Sequence, residues 1–418
     1  MASRSKPLRD GFMRGLLILL QPLTLGGEFM KLWTGQTLSA VTDNVVSTAL
    51  SIIVLERTGS ATAASVGLLL QMLPALLLGP VAGVILDRTQ RKWVMAVADA
   101  ARASGILLSA YAITSGTFSL AHVYAWRALN GIVRAFYDPA TNALIPAVVE
   151  RESIQQANAV HTVGKNTAMI LGPAVAGFAL AALGDASTLL AAGLVFAVAA
   201  LLVLAIKPPY EDRTALSSKR PSLAEAMEGF RFYRAVPLAM SLLAMAIFIN
   251  FCANPAGLAF QVHLLKTLRV DPELLGVGFS VSAVASLAAS YFMAMRKRWP
   301  RLGLTMATGV AIMAMSFALM GMSSSIAEVY VIFALFGAVT PFIQVPMSTL
   351  YQEITPAEIR GRVFAVRFTA NTLFSPISTP LAGLALDAVG SRTVLLALAA
   401  LLGVVSLAGF ASQHLREA

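Results

Sequence analysis

Acidic and basic side chains are scarce in this chain, and several stand inside long apolar runs, where a charge can carry a proton or hold a polar ligand. Ser39, Asp43, Ser47 and Ser51 recur every four residues, which places them on one helical face as a polar stripe. An ionised carboxylate in the middle of an apolar run is costly, so Asp43 must be paired, wetted or protonated. It is a candidate for coupling a proton to a solute, with a static ion pair as the plainer alternative. Arg127, Gly131, Arg134 and Asp138 share a face over about three turns. Arg127 lies deep enough to need a partner, and Asp43 is the expected one. Arg134 and Asp138, one turn apart, are expected to pair with each other or with the segment Asp87–Lys92 as a latch. His161 and Lys165 share the next face; Lys165 suits an anionic or polar ligand, or reaches instead to the polar edge. Asn250 and Asn254, beside Pro255, and Arg367 with Asn371 are candidates for the wall of a substrate cavity, although interhelical hydrogen bonds would use the same amides. Asp99 and Arg102, at i and i+3, are expected to satisfy each other as a structural pair.

The elements that must position these side chains are membrane helices. The 418 residues are 57% hydrophobic and only 12% charged, against about 25% charged in a soluble domain. A water-soluble enzyme and a disordered chain are both excluded. Apolar runs of about 20 residues mark twelve spans: 32–55, 62–86, 93–114, 118–137, 157–182, 186–206, 237–262, 274–295, 303–322, 327–350, 363–386 and 393–412. Of the 31 Lys and Arg, 22 fall on the side of the termini and only Arg57, Lys266, Arg269 and Arg392 on the other. By the positive-inside rule both termini are cytoplasmic, and the net charge of +10 is topological rather than a nucleic-acid footprint. The single cysteine, Cys252, and four scattered histidines give no metal-ligand spacing. No GxxxxGK[ST], GxSxG or HExxH string is present, which argues against an ATPase, a serine hydrolase or a metalloprotease. Residues 4–25 are expected to lie at the interface before the first span rather than to form a cleaved signal.

An offset of 206 residues aligns 121–184 with 327–390 without a gap, and 8 of 16 positions are identical at its start. Copies six spans apart have the same orientation, so the fold expected is all-α, with twelve transmembrane helices in two parallel six-helix halves. The organisation is a 1–30 N-terminal segment, a 31–206 half, a 207–236 cytoplasmic linker with a short amphipathic helix, a 237–413 half and a 414–418 tail. Such transporters place the substrate between their halves and rock one against the other.

The segment from Gly79 to Lys92 resembles the G-x-x-x-D-R-x-G-R-[RK] signature of the major facilitator superfamily. Gly83, Asp87, Arg88, Arg91 and Lys92 match it, and Gln90 departs from it. Arg127-Ala128-Leu129-Asn130-Gly131 is similar to that family's R-x-x-[QN]-G. Gly172-Pro173-Ala174-Val175-Ala176-Gly177 is similar to the end of its exporter motif, although Ala168 stands where another Gly is expected. Leu32-Trp33-Thr34-Gly35-Gln36, Gly229-Phe230-Arg231-Phe232 and Gly361-Arg362-Val363-Phe364 look like the branch holding macrolide-efflux proteins and enterobactin-type siderophore exporters. The resemblance implies a cytoplasmic gate at Gly83, Asp87, Arg88, Arg91 and Lys92, which Arg134 and Asp138 are expected to join by their place one turn apart near the cytoplasmic end of their span. It also implies helix-packing hinges at Gly131, Gly172, Pro173 and Gly177.

The expected function is therefore secondary active efflux of a small amphiphilic compound, coupled to protons through Asp43 and Arg127. Lys165, Asn250, Asn254, Arg367 and Asn371 would line the cavity. The proton is the only coupling ion expected, with no other cofactor. The expected partners are the solute and the lipid bilayer, with no nucleic acid. The protein is expected as a monomer in a bacterial inner membrane. A lysophospholipid flippase of the same fold and a non-transporting sensor or scaffold are the alternatives.

Overall fold

A backbone in hydrocarbon must satisfy its own hydrogen bonds, and a chain with this run of apolar residues does so as helices. The computed structural model describes residues 25–86, 89–207, 223–295, 299, 301–356 and 359–417, and these contain helices and connections but no strand. In order they are α1 (Gly27–Thr58), α2 (Ala61–Leu86), α3 (Arg91–Thr114), α4 (Leu120–Val148), α5 (Ile154–Leu204), α6 (Leu223–Ala235), α7 (Pro237–Val262), α8 (Pro272–Ala294), α9 (Leu302–Met322), α10 (Ile326–Ile354), α11 (Arg360–Leu373), α12 (Ser375–Ala411) and α13 (Gln413–Glu417). A π-helical turn, His263–Leu268, prolongs α7 and ends at Arg269 in the left-handed region, φ 54°. Among the described residues nine helical segments are long and apolar enough to cross a membrane. The N-terminal segment expected at the interface lies outside the described residues through residue 24.

Two of the spanning helices are double. Gly184 (φ 76°, ψ 173°) interrupts α5, and Gly390 (φ 80°, ψ 162°) interrupts α12. A side chain opposes that backbone region, so glycine is what allows the turn. The two glycines are one pair of the 206-residue repeat. Ser119 and Ser325, another pair at the same spacing, each begin a helix. Ser119 N donates to His122 Nδ1 at 3.2 Å, and Ser325 Oγ accepts from Glu328 N at 3.3 Å. The reciprocal cap satisfies donors that the first helical turn leaves orphaned.

Packing divides the described chain into two compact units. The first comprises 25–48, 77–172 and 183–207, the second 49–76, 173–182 and 223–417. The division cuts α1, α2 and α5 within their lengths, and it cuts α5 twice, before Pro173 and after Ala182. In the first unit Phe29, Leu32, Met95, Tyr137, Leu144 and Ile206 share a buried apolar cluster. In the second, Phe260 meets Phe317, Phe333 and Phe336 edge-on at 5.5–5.7 Å between centroids, an arrangement the ring quadrupole favours. The later arms of α5 and α12 expose Leu190, Leu194, Leu201, Val404 and Leu407. Such surfaces suit lipid.

Candidate functional site

The polar stripe of α1 is the seed of the site, and three of its four members, Ser39, Asp43 and Ser47, meet partners on α3 or α4 within the first unit. Ser39 Oγ donates to Asp99 Oδ1 at 2.6 Å. Asn130 Nδ2 donates to Asp43 Oδ1 at 2.5 Å, and Arg134 Nη1 stands 3.8 Å from Asp43 Oδ2. Arg127 donates from Nη1 to Ser47 Oγ at 2.9 Å and from Nη2 to Ser47 O at 2.7 Å. Arg134 stands within ion-pair distance of Asp43, for which Arg127 was the expected partner. Arg127, Asn130, Arg134 and Tyr137 thus make the working face of α4, slightly rotated from the face expected through Asp138.

Asp99 and Arg102 do pair, at 3.3 Å, but they are not isolated. Asp99 is fully buried and accepts from Ser39, Arg102 and Tyr137, the last from its hydroxyl at 3.0 Å. Arg102 Nε donates to Asn130 Oδ1 at 2.9 Å, Nη1 donates to Ser39 Oγ at 3.1 Å, and the guanidinium lies 4.8 Å from the Tyr137 ring centroid. An amide has one acceptor end and one donor end. Asn130 turns the first to Arg102 and the second to Asp43, so one side chain joins both acids in a continuous chain, Asp43–Asn130–Arg102–Asp99.

The two carboxylates differ in a way that matters chemically. Asp99 has three donors and no contact with solvent, which fixes it as a structural anion. Asp43 has one short hydrogen bond and a long ion pair to Arg134, whose side chain is 47% exposed. Asp43 is the acid with a route to water.

Other expected pairings are redistributed. Asp138 pairs with Lys165 at 3.5 Å instead of with Arg134, both side chains being nearly half exposed. The reason is helical phase: Tyr137 takes the inward position, and Asp138 is carried round toward α5. Arg91 Nη1 donates to Ala143 O at 2.9 Å and Lys92 Nζ to Ile206 O at 3.2 Å, so both cations cover carbonyls near helix ends. Asp87 and Arg88 lie outside the described residues, and Gly83 falls within α2. His161 Nε2 meets Gln36 Nε2 at 3.3 Å. Gly131 is buried in α4, and Gly172 packs so closely on Asn44 that an added Cβ would collide with it.

In the second unit, the Asn250 amide donates to Ala246 O of its own helix at 2.8 Å, and Asn254 is exposed. The Arg367 guanidinium lies 4.5 Å from the Tyr351 ring centroid and 5.8 Å from that of Phe364. Asn371 Oδ1 is buried without a hydrogen-bond partner among the described residues. Among the described residues no hydrogen bond joins these four side chains to one another. Sequence reasoning missed Asn130 and Tyr137 as members of the site. The signal for Asn130 was present, since it is the amide of R-x-x-[QN]-G.

Residues 32–379 match the model of the Major Facilitator Superfamily. The chain belongs to that superfamily. Among its relatives, macrolide efflux protein A of Streptococcus pyogenes is 26% identical over 87% of this chain and 90% of its own. The multidrug efflux pump Tap of Mycolicibacterium fortuitum is 26% identical over 94% of each chain. An uncharacterized MFS-type transporter of Bacillus subtilis, YvqJ, is 26% identical over 77% of each. In fold the chain is similar to the nucleoside transporter NupG, with TM-score 0.70 at 13% identity over 92% of this chain and 99% of that one. It is also similar to a bacterial homolog of the human lysosomal transporter Spinster, with TM-score 0.71 at 15% identity over 93% and 97%. The protein is thus an all-helical membrane transporter of the Major Facilitator Superfamily, not an enzyme, and efflux pumps are among its relatives.

Proposed function

We propose that this transporter exports a small amphiphilic organic compound, a drug or a siderophore-like metabolite, in exchange for protons, working as a monomer by alternating access across a bacterial inner membrane. The breaks at Gly184 and Gly390 divide two long helices into four arms, and α4, 29 residues long, adds a further helix that intersperses polar residues with apolar ones. Counted so, the helices support the reading of twelve crossings in two parallel halves, and the cation distribution supports cytoplasmic termini.

The observation that carries the coupling is the contrast between the two buried acids. Asp99 is locked by three donors. Asp43 is held by Asn130 and shares its charge with a half-exposed arginine. A proton arriving at Asp43 cancels the charge opposite Arg134, and a polar or charged solute group competes for the same two residues. Proton and solute then exclude each other, which is what antiport requires. Arg127, tied to Ser47, supplies a fixed positive field beside the acid. The half-exposed Lys165–Asp138 pair offers the solute a second polar contact. Relatives described as macrolide and multidrug pumps support an amphiphilic cargo.

The test is pH-jump flux in proteoliposomes, with a macrolide, a cationic dye, a catecholate siderophore and a lysophospholipid offered in parallel. Flux of one of the first three, driven by a proton gradient and uncoupled from it in Asp43→Asn, is the expected result. Identical flux and pH dependence in Asp43→Asn would remove Asp43 from the mechanism. Transport of the lysophospholipid alone would replace the cargo class.

A further inference from the structure

A second charged cluster stands in the second unit, where α1 gives way to α2. None of its members belongs to the site around Asp43. The connection from α1 to α2 turns at Gly59 (φ +63°), and Ser60 precedes the first turn of α2. The first N–H groups of that helix have no partner within it. They are taken by a carboxylate from 326 residues further along: Asp387 Oδ1 accepts from Ala61 N at 2.8 Å, and Oδ2 accepts from Thr62 N and from Ser60 Oγ, each at 2.8 Å. Lys266, on the π-turn after α7, places Nζ 3.5 Å from Asp387 Oδ1 and donates to Gly59 O. The turn carrying Lys266 is anchored from behind, because His263 is buried between Ser391 Oγ at 3.0 Å and Ser323 Oγ at 3.2 Å.

Two close helix approaches belong to the same unit as this cluster. A Cβ at Gly177 of α5 would fall 2.6 Å from Gly276 Cα of α8, and one at Gly383 of α12 would collide with Ser65 of α2. Gly177 and Gly383 are themselves a pair of the 206-residue repeat. Helices brought this near leave no passage between them.

We propose that Asp387 and Lys266 form the outer latch of the transporter. Asp387 clasps the first turn of α2, Lys266 holds the α1–α2 turn and the carboxylate together, and the glycine contacts seal the wall. The structure holds the latch closed. The latch must part for solute to leave on that side, and it parts as one unit, because Ser60, Ala61, Thr62 and Gly59 are all held by two side chains. An aspartate fits because an ionised acceptor bonds two N–H groups more strongly than a neutral one and complements the positive end of the helix. Calling the latch outer rests on the topology proposed above, whereas the latch itself requires neither proton coupling nor a particular solute.

The test uses the full-length protein with Cys252→Ala, so that Ser65→Cys, which is fully buried at the seal, is the only thiol. Its labelling by a membrane-impermeant maleimide is followed in vesicles of both orientations. Asp387→Ala should raise the labelling rate from the side opposite the termini about tenfold or more, the change expected from losing even one charged hydrogen bond. Asp387→Asn, which keeps one acceptor, should give a smaller rise, and so should Lys266→Met. As a complement, a disulfide between Ser60→Cys and Asp387→Cys should abolish flux until it is reduced. Unchanged labelling in Asp387→Ala or Lys266→Met, or full transport through the cross-linked protein, would overturn the latch. The labelling readout does not depend on Asp43, so failure of proton coupling and failure of the latch are separable.

Discussion

Replacing Gly177 by alanine adds one methyl group, and the structure fixes what that methyl meets. The new Cβ would lie 2.6 Å from Gly276 Cα, 2.7 Å from Gly276 N and 2.7 Å from Pro272 O. All three are backbone atoms, so no side-chain rotation can make room. Comfortable carbon contacts begin at about 3.5 Å, and α5 and α8 must therefore separate locally by about 1 Å. Overpacking of this kind costs about 1–3 kcal/mol, offset by the ~1 kcal/mol that alanine gains over glycine in a helix. Gly257, in α7, is the internal standard because a Cβ there meets nothing within 4 Å. Gly257→Ala should collect the helical gain without the clash. The two variants should differ by about 1–3 kcal/mol, with Gly177→Ala the less stable. Thermal unfolding in detergent, followed by the fluorescence of the four tryptophans, should place Gly177→Ala a few degrees below Gly257→Ala. If Gly177→Ala melts at or above Gly257→Ala, the two helices are not in backbone contact and the sealed wall proposed with the latch loses one contact.

Removing the Tyr137 hydroxyl leaves its ring beside Arg102 but takes one donor from Asp99, so Tyr137→Phe should cost about 1.5–3 kcal/mol. Arg102→Leu leaves a buried carboxylate uncompensated and should cost about 3–5 kcal/mol. Thermal scans of both should keep that order, and the reverse order would mean that Asp99 does not depend on Arg102. Gly184→Ala and Gly390→Ala each force a side chain into a backbone region that glycine alone tolerates and should destabilise by about 1–3 kcal/mol. Equal yields and melting temperatures for these variants and the wild type would argue against a turn at either position.

Much of the fold was legible because membrane helices are written in composition and length. The apolar runs became the helices, and the last matched glycines of the repeat became the two breaks in α5 and α12. Boundaries shifted where polar residues prolong a helix beyond its apolar run, as α4 does to Val148 and α10 to Ile354. The polar stripe of α1 was equally legible, since a four-residue period fixes which residues share a face.

Partner choice was not. Arg127, Asn130 and Arg134 follow one another at successive turns along one face of α4, and the height at which that helix lies beside α1 decides which of them meets Asp43. The outcome, Arg134 with Asp43 and Asp138 with Lys165, depends on interhelical packing that no single segment encodes. Asp99 and Arg102 looked like a local i, i+3 pair, and only packing against α1 and α4 made them the core of a network. The Asp387 latch lay furthest from sequence reasoning. An aspartate at the end of an apolar run and an ordinary Ser-Ala-Thr helix start, 326 residues apart, carry no signal for each other. The sequence determined the helices, their repeat and which faces are polar, because these follow from local periodicity. Only the tertiary structure decided which acid is locked, which is reached by water and which clasps a distant helix, because each depends on donors brought by another part of the chain.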